Sequence, residues 1–335
     1  MNISSARKIA DAVLYEGYML YPYRRSAVKN RQRWSFGILY PPTYEEVRTG
    51  TEHATMHSEC LIEIRDQSAL RVEVQLRFLH LARVQVEEET AKGPIDTAVI
   101  VDGRLIQSRD EAEERSVELD WPASTSQEFR FGDRIHDEVL TDATGEHLGT
   151  VTRMQDEVCG RIRLASEHAG EQLLKLYIDV FNASSAHNEI TRDAALMRSL
   201  LSSHCVLGVS GGEFISLLDP PEKFKAAAST CRNVRNFPVL VGEEPARDML
   251  LCSPILLYDY PKVAPESAGD FFDSTEMDEM LTLRVMTLTD EEKNKMQRGD
   301  DRVRELLQRT EMTAREQLTR THGTIRSMSP SREDE

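Results

Sequence analysis

The sequence has no stretch approaching the ~20 consecutive apolar residues of a membrane helix, which excludes a helical integral membrane protein. Behind Arg7, Lys8 and Asp11 there is no apolar run ending in a small-residue cleavage site, so a secretory signal peptide is not expected. Cysteine is scarce: five residues, widely spaced and without a C-x-x-C pair. Reduced thiols in a cytoplasmic protein are the expectation. Basic residues are also in deficit, 41 Lys and Arg against 57 Asp and Glu, for a formal net charge of -16. Such a surface repels phosphate backbones, so general nucleic-acid binding is not expected.

The acidity is uneven. Residues 1–40 hold seven Lys/Arg and two Asp/Glu, a local balance of +5, whereas 85–120 hold eleven acids and four bases and 270–301 hold ten and four. A basic N-terminal segment therefore adjoins an acidic body. Solvated loops and helix faces account for the acids, and opposite-sign surfaces that steer a partner are the alternative.

Strands dominate the early pattern. Residues 60–66 and 70–87 read as the clearest, with Leu70, Val72, Val74, Leu76 and Phe78 alternating against polar neighbours. Asp102-Gly103 signals a hairpin, a second is expected around Gly145, and a third pairs 160–165 with 173–181. Residues 4–16 read as a helix, and 35–40 as a short strand. From Thr191 the pattern shifts, with helices expected over about 191–202 and 220–231, and short strands at 205–209, 237–241 and 250–257. Residues 275–287 are helical in pattern, and Thr289-Asp290-Glu291-Glu292 forms a capping box for a further helix to about 320. The predicted fold class is α+β: a strand-rich, mainly antiparallel domain over 1–270, a helical C-terminal extension over 271–320 and a disordered tail over 321–335.

Four groupings carry potential chemistry. Gly208-Val209-Ser210-Gly211-Gly212 satisfies the G-x-S-x-G pattern of a hydrolase elbow, but the only later histidine is His322, in the expected tail. A glycine-rich turn between two strands explains the motif better. His53, His57 and Cys60 form the best metal-like grouping, since H-x-x-x-H on a helix puts both imidazoles on one face. Glu59 and Cys60 look strand-like, however, and no second Cys/His pair is near. Asp273, Glu276, Asp278 and Glu279 cluster at an expected helix start, where they complement the helix dipole; a hard divalent cation is the alternative. Finally, Tyr15–Trp34 concentrates four of nine tyrosines with five bases. Tyr18, Tyr21, Tyr23 and Trp34 as anchors, with Arg24, Lys29, Arg31 and Arg33 as their charged part, have the composition of a recognition surface. An ordered loop packed on the sheet is the competing explanation.

Tyr15 to Arg24 followed by Lys29-Asn30-Arg31-x-Arg33-Trp34-x-Phe36-Gly37 resembles an uncharacterised protein family encoded beside high-affinity actinobacterial-type [NiFe] hydrogenases. The similarity resumes over 212–221, over 253–261 with 264–267, and over 276–284 with 287–293. The resemblance implies an accessory or assembly context near hydrogenase and transfers no catalytic residue. Two functions are therefore carried forward. One is a non-catalytic accessory protein binding a protein partner, such as a hydrogenase subunit or a second copy of the chain, and needing no cofactor. The other is a metal-dependent enzyme or metal carrier using His53, His57 and Cys60 or the 273–279 carboxylates.

Overall fold

The computed structural model describes residues 9–11, 13–14, 36–47, 52–88, 98–101, 104–186 and 190–262. After helical residues at 9–11 and 13–14, the order is helix α1 (Pro42–Val47), then strands β1 (Thr55–Ile64), β2 (Arg71–Glu88), β3 (Ala98–Val101), β4 (Arg104–Gln107), β5 (Arg109–Trp121), β6 (Ser126–Phe131), β7 (Arg134–Thr141), β8 (His147–Gln155), β9 (Val158–Gly170) and β10 (Leu173–Asn182). There follow α2 (Arg192–Leu196), β11 (Leu201–Ser210), β12 (Gly212–Ile215), a 3-10 turn (Glu222–Phe224), α3 (Lys225–Ala228), β13 (Phe237–Leu240) and β14 (Met249–Ser253).

Among the described residues every strand pair is antiparallel. One sheet runs β12-β1-β10-β9-β6, the other β13-β14-β11-β2-β8-β7 with β5 also on β2, and β3-β4 form a separate hairpin. Strand β2 is the organiser. It pairs β5 over Val72–Val84 and β11 over Arg71–Leu79, so those two neighbours take opposite edges. At Arg83 and Val84 it pairs β5 and β8 together, which puts β8 end to end with β11 on one edge. An 18-residue strand can serve three partners because its alternation keeps one face buried from Val72 to Val86, with only Ala82 partly exposed.

The two large sheets pack face to face. Met56, Cys60, Ile62 and Ile64 of β1, and Leu174, Leu176, Ile178 and Val180 of β10, meet Val72, Val74, Leu76 and Phe78 of β2 and Cys205, Leu207 and Val209 of β11. A smaller cluster, Val84, Val86, Val99, Leu140 and Val151, closes the far end. The architecture is a β-sandwich.

This corrects the expected α+β class. Besides the helical residues at 9–11 and 13–14, helix among the described residues is confined to short segments, of six residues in α1, five in α2 and four in α3, around two antiparallel sheets. The helix expected over 191–202 is capped by Thr191, whose Oγ1 accepts from the Ala194 amide at 3.3 Å, but it stops at Leu196. The next residues join the sheet system: Leu200 bridges Leu39, and β11 starts at Leu201. An apolar run without clear period is captured by whichever neighbour supplies backbone partners, and here β2 and β14 supply them. Over 220–231 only the 3-10 turn and α3 form. The helical extension over 271–320, the tail and the 270/271 boundary lie outside the described residues. No helix among the described residues is long and apolar enough to cross a membrane.

Candidate functional site

Strand parity builds the site. The even residues of β1 point into the core, so His57, Glu59, Leu61 and Glu63 share the opposite face. The antiparallel register sets them against Asp179, Tyr177, Lys175 and Leu173 of β10, respectively. Ionisable groups thus occupy alternate positions on two adjacent strands.

The segment after α3 covers this face. His57 and Val234 exchange both backbone hydrogen bonds, at 3.3 and 2.9 Å. Asn233 accepts from the Glu59 amide at 2.9 Å, and Asn236 donates to the His57 carbonyl at 2.6 Å while accepting from Ser58 Oγ at 2.7 Å. Two asparagines therefore stitch the segment to the edge of β1. Below it, Leu61, Leu173 and Ile215 form an apolar patch under Phe224, Ala227, Ala228 and Cys231.

An unbroken chain of charge-assisted bonds results. Lys175 Nζ lies 2.5 Å from Glu59 Oε2, which also accepts from the Arg232 amide at 2.8 Å. Glu59 Oε1 is 3.1 Å from His57 Nε2, and Asp179 Oδ1 is 2.7 Å from His57 Nδ1. Arg163 completes the series on Asp179 Oδ2 at 3.1 Å. Carboxylate oxygens only accept, so satisfying both contacts needs the imidazolium form of His57. Burial alone pulls the His57 pKa down, but the bonds to Asp179 and Glu59 outweigh it and hold it above the ordinary value. Burial likewise opposes ionisation of Glu59, yet Lys175, the Arg232 amide and His57 keep its carboxyl below the usual range. Lys175 stays above its ordinary value for the reciprocal reason: desolvation is outweighed by Glu59. Burial pushes the Cys231 thiol up to about 11. Tyr177 donates its hydroxyl to Glu167.

Beside this network lies an open cleft of about 670 Å³, between the tip of the β9–β10 hairpin and α3. Lys175, Glu63, Glu167, Glu171, Lys223 and Phe224 contribute to its lining. Lys223 Nζ is 2.6 Å from Glu63, which Arg65 also meets at 3.0 Å.

The metal-like grouping read from the sequence does not assemble. His57 sits on the outer face of β1, whereas Cys60, three residues on, is fully buried on the core face. Its thiol is held well above its ordinary pKa by desolvation. His53 precedes β1, its carbonyl accepting from the Tyr40 amide at 2.7 Å. Among the described residues no cluster of three or more His, Cys, Asp or Glu side chains suits a metal ion. Ser210 ends β11 and its hydroxyl donates to the Ala69 carbonyl at 3.3 Å. A strand rather than a helix follows it, through Gly211 at φ +72°. Tyr18, Tyr21, Tyr23, Arg24, Lys29, Arg31, Arg33 and Trp34 lie outside the described residues, as do Asp273, Glu276, Asp278 and Glu279.

Sequence reasoning passed over Glu59, Lys175, Tyr177 and Asp179 as site residues. Their one signal was charge at alternate positions in two otherwise apolar strands. The chain matches no protein-family model and no curated protein sequence.

Proposed function

We propose that the protein is a non-catalytic accessory module of the cytoplasm that binds a protein partner. The partner class is the one its sequence resemblance implies, a [NiFe] hydrogenase subunit met during assembly or complex formation. One observation supports binding over chemistry: the reactive groups beside the cleft are held in the forms least able to react. A nucleophile or general base works best with its pKa near the operating pH. Here Lys175 is kept as ammonium by Glu59, Cys231 is kept as thiol, and Glu59 is already bonded to Lys175, His57 and the Arg232 amide. The exposed charges at its margin, Arg163 paired with Asp179 and Lys223 paired with Glu63, can face a partner, and the buried network beneath preserves their geometry.

The recognition segment is assigned to Tyr15–Trp34 on composition, with Arg31 and Arg33 in its charged part. Affinity capture of the tagged full chain from its native host tests the reading. Hydrogenase subunits should co-purify with the unaltered chain and be lost from the Arg31→Glu/Arg33→Glu variant, whose thermal unfolding should be unchanged. Capture without any hydrogenase subunit, or equal capture by the variant, overturns the assignment.

A further inference from the structure

Between its two apolar clusters, strand β2 crosses a polar zone of the sandwich interior. His80 shares the parity of Leu76 and Phe78 and is fully buried. Its Nε2 lies 2.8 Å from the Asp156 carbonyl oxygen, which can only accept, so Nε2 carries the hydrogen. Burial lowers the pKa of the ring and keeps it neutral. Nδ1 is therefore a bare lone pair, buried and without a partner.

Across β5, Glu113 stands opposite His80 and Arg115 opposite Phe78. Arg115, with its side chain 10% exposed, grips Glu113 through both terminal nitrogens at 2.7 Å. Its inner Nε–H is buried with no acceptor. Gln155, at the end of β8, accepts from Arg115 Nη2 at 3.5 Å through Oε1. That contact favours this amide orientation, because the reverse would set two donors face to face. The Gln155 NH₂ is then buried without an acceptor as well. Asp156, which holds His80, is the next residue, and the Arg115 charge acts on the His80 ring, so the three side chains share one neighbourhood at the crossover from β8 to β9.

We infer that this neighbourhood is a binding site for one small hydroxylic molecule, a water, held by His80 Nδ1, Arg115 Nε and Gln155 Nε2. The three atoms make one complementary set. A water accepts from the two N–H groups and donates to the lone pair, which gives the roughly three bonds typical of an internal water. An anion would face that lone pair and the Glu113 carboxylate, and a cation would face two donors. Leaving all three atoms unmade would cost a desolvation penalty at each. The bound water joins β2, β5 and β8 where the chain passes between sheets, between the two apolar clusters.

A crystal structure of the full chain at a resolution that shows ordered water tests this directly. A single water within about 3.2 Å of all three atoms is expected. A dry site, or a different molecule there, overturns it. A double-mutant cycle with His80→Phe and Gln155→Leu gives an independent reading from urea unfolding. Each single change should lower the unfolding stability constant at least tenfold, because it strands the remaining polar atoms. The double variant should lose far less than the product of the two losses. Losses that simply multiply overturn a shared site. Should a variant fail to fold, the crystallographic result on the unaltered chain decides.

Discussion

Replacing Lys175 by methionine should expose how much the site network matters to the fold. Lys175 and Glu59 are each only 8% exposed at the side chain and lie 2.5 Å apart, so bulk solvent screens the pair little. Methionine keeps an unbranched stem over the apolar floor but removes the ammonium. Glu59 is then left buried with the Arg232 amide and with His57, whose charge is shared with Asp179. Removing one member of a buried pair costs about 3–5 kcal/mol. The remaining partners place this case near the lower end, roughly 3 kcal/mol. With a urea m-value of about 3 kcal/mol/M, the midpoint should fall by about 1 M. Trp121, packed against the core, provides a fluorescence signal for the transition. Adding Glu59→Gln to Lys175→Met removes the stranded charge and should recover at least half of the loss. A midpoint shift below about 0.3 M, or a double variant no better than the single, would refute the view that Glu59 depends on Lys175.

Two further outcomes follow from other parts of the fold. His204 is fully buried, and desolvation, only partly opposed by its bond to the Ser202 carbonyl, pushes its pKa down to about 4. The unfolded chain takes up a proton near pH 6.5 and the folded chain does not, so stability is complete above 6.5 and lost as pH falls toward 4, by roughly 3 kcal/mol in all. Urea midpoints for the unaltered chain and His204→Gln should therefore converge on going from pH 7 to pH 5; parallel pH profiles would contradict this. Gly211 combines φ +72° with a close approach, since a Cβ would lie 2.5 Å from the Leu70 nitrogen and 2.6 Å from the Ala69 carbonyl carbon. Gly211→Ala should cost on the order of 3 kcal/mol and lower the thermal midpoint by roughly 10 °C, and a variant within about 2 °C of the parent would rule out the strain.

Where burial alternates with period two, the sequence is a good guide to the fold. Leu70 to Phe78 has five apolar residues at alternate positions, and the strand there extends to Glu88. Strand β5 was hidden because its alternation is faint: only Val117 and Leu119 are fully buried in thirteen residues, and charge crowds the remainder. It is nevertheless the partner of β2 over the longest stretch, Val72–Val84. Pairing with an already buried strand gives such a segment its conformation without a strong pattern of its own. The helical reading of 191–202 failed for a related reason. Ala194, Ala195, Leu196 and Met197 favour helix locally, but the run continues into Leu200, Leu201 and Cys205, whose burial the sheets decide.

The site was harder to read because its residues are close only through register. His57 drew attention for its spacing from His53, a relation that matters on a helix and not on a strand. On β1 its neighbours are Glu59, two residues on, and Asp179, 122 residues away in the chain. Nothing local could have named Asp179, yet the register itself has a plain cause. Slipping β10 by one residue against β1 would turn Leu174, Leu176, Ile178 and Val180 outward and bring Lys175 and Asp179 into the core. Burying those two charges among aliphatic side chains would be prohibitive. The hydrophobic alternation of each strand therefore selects the one alignment in which His57 meets Asp179 and Glu59 lies near Lys175. The charge network is a consequence of core packing on the reverse face, so substitutions on either face should be felt on the other.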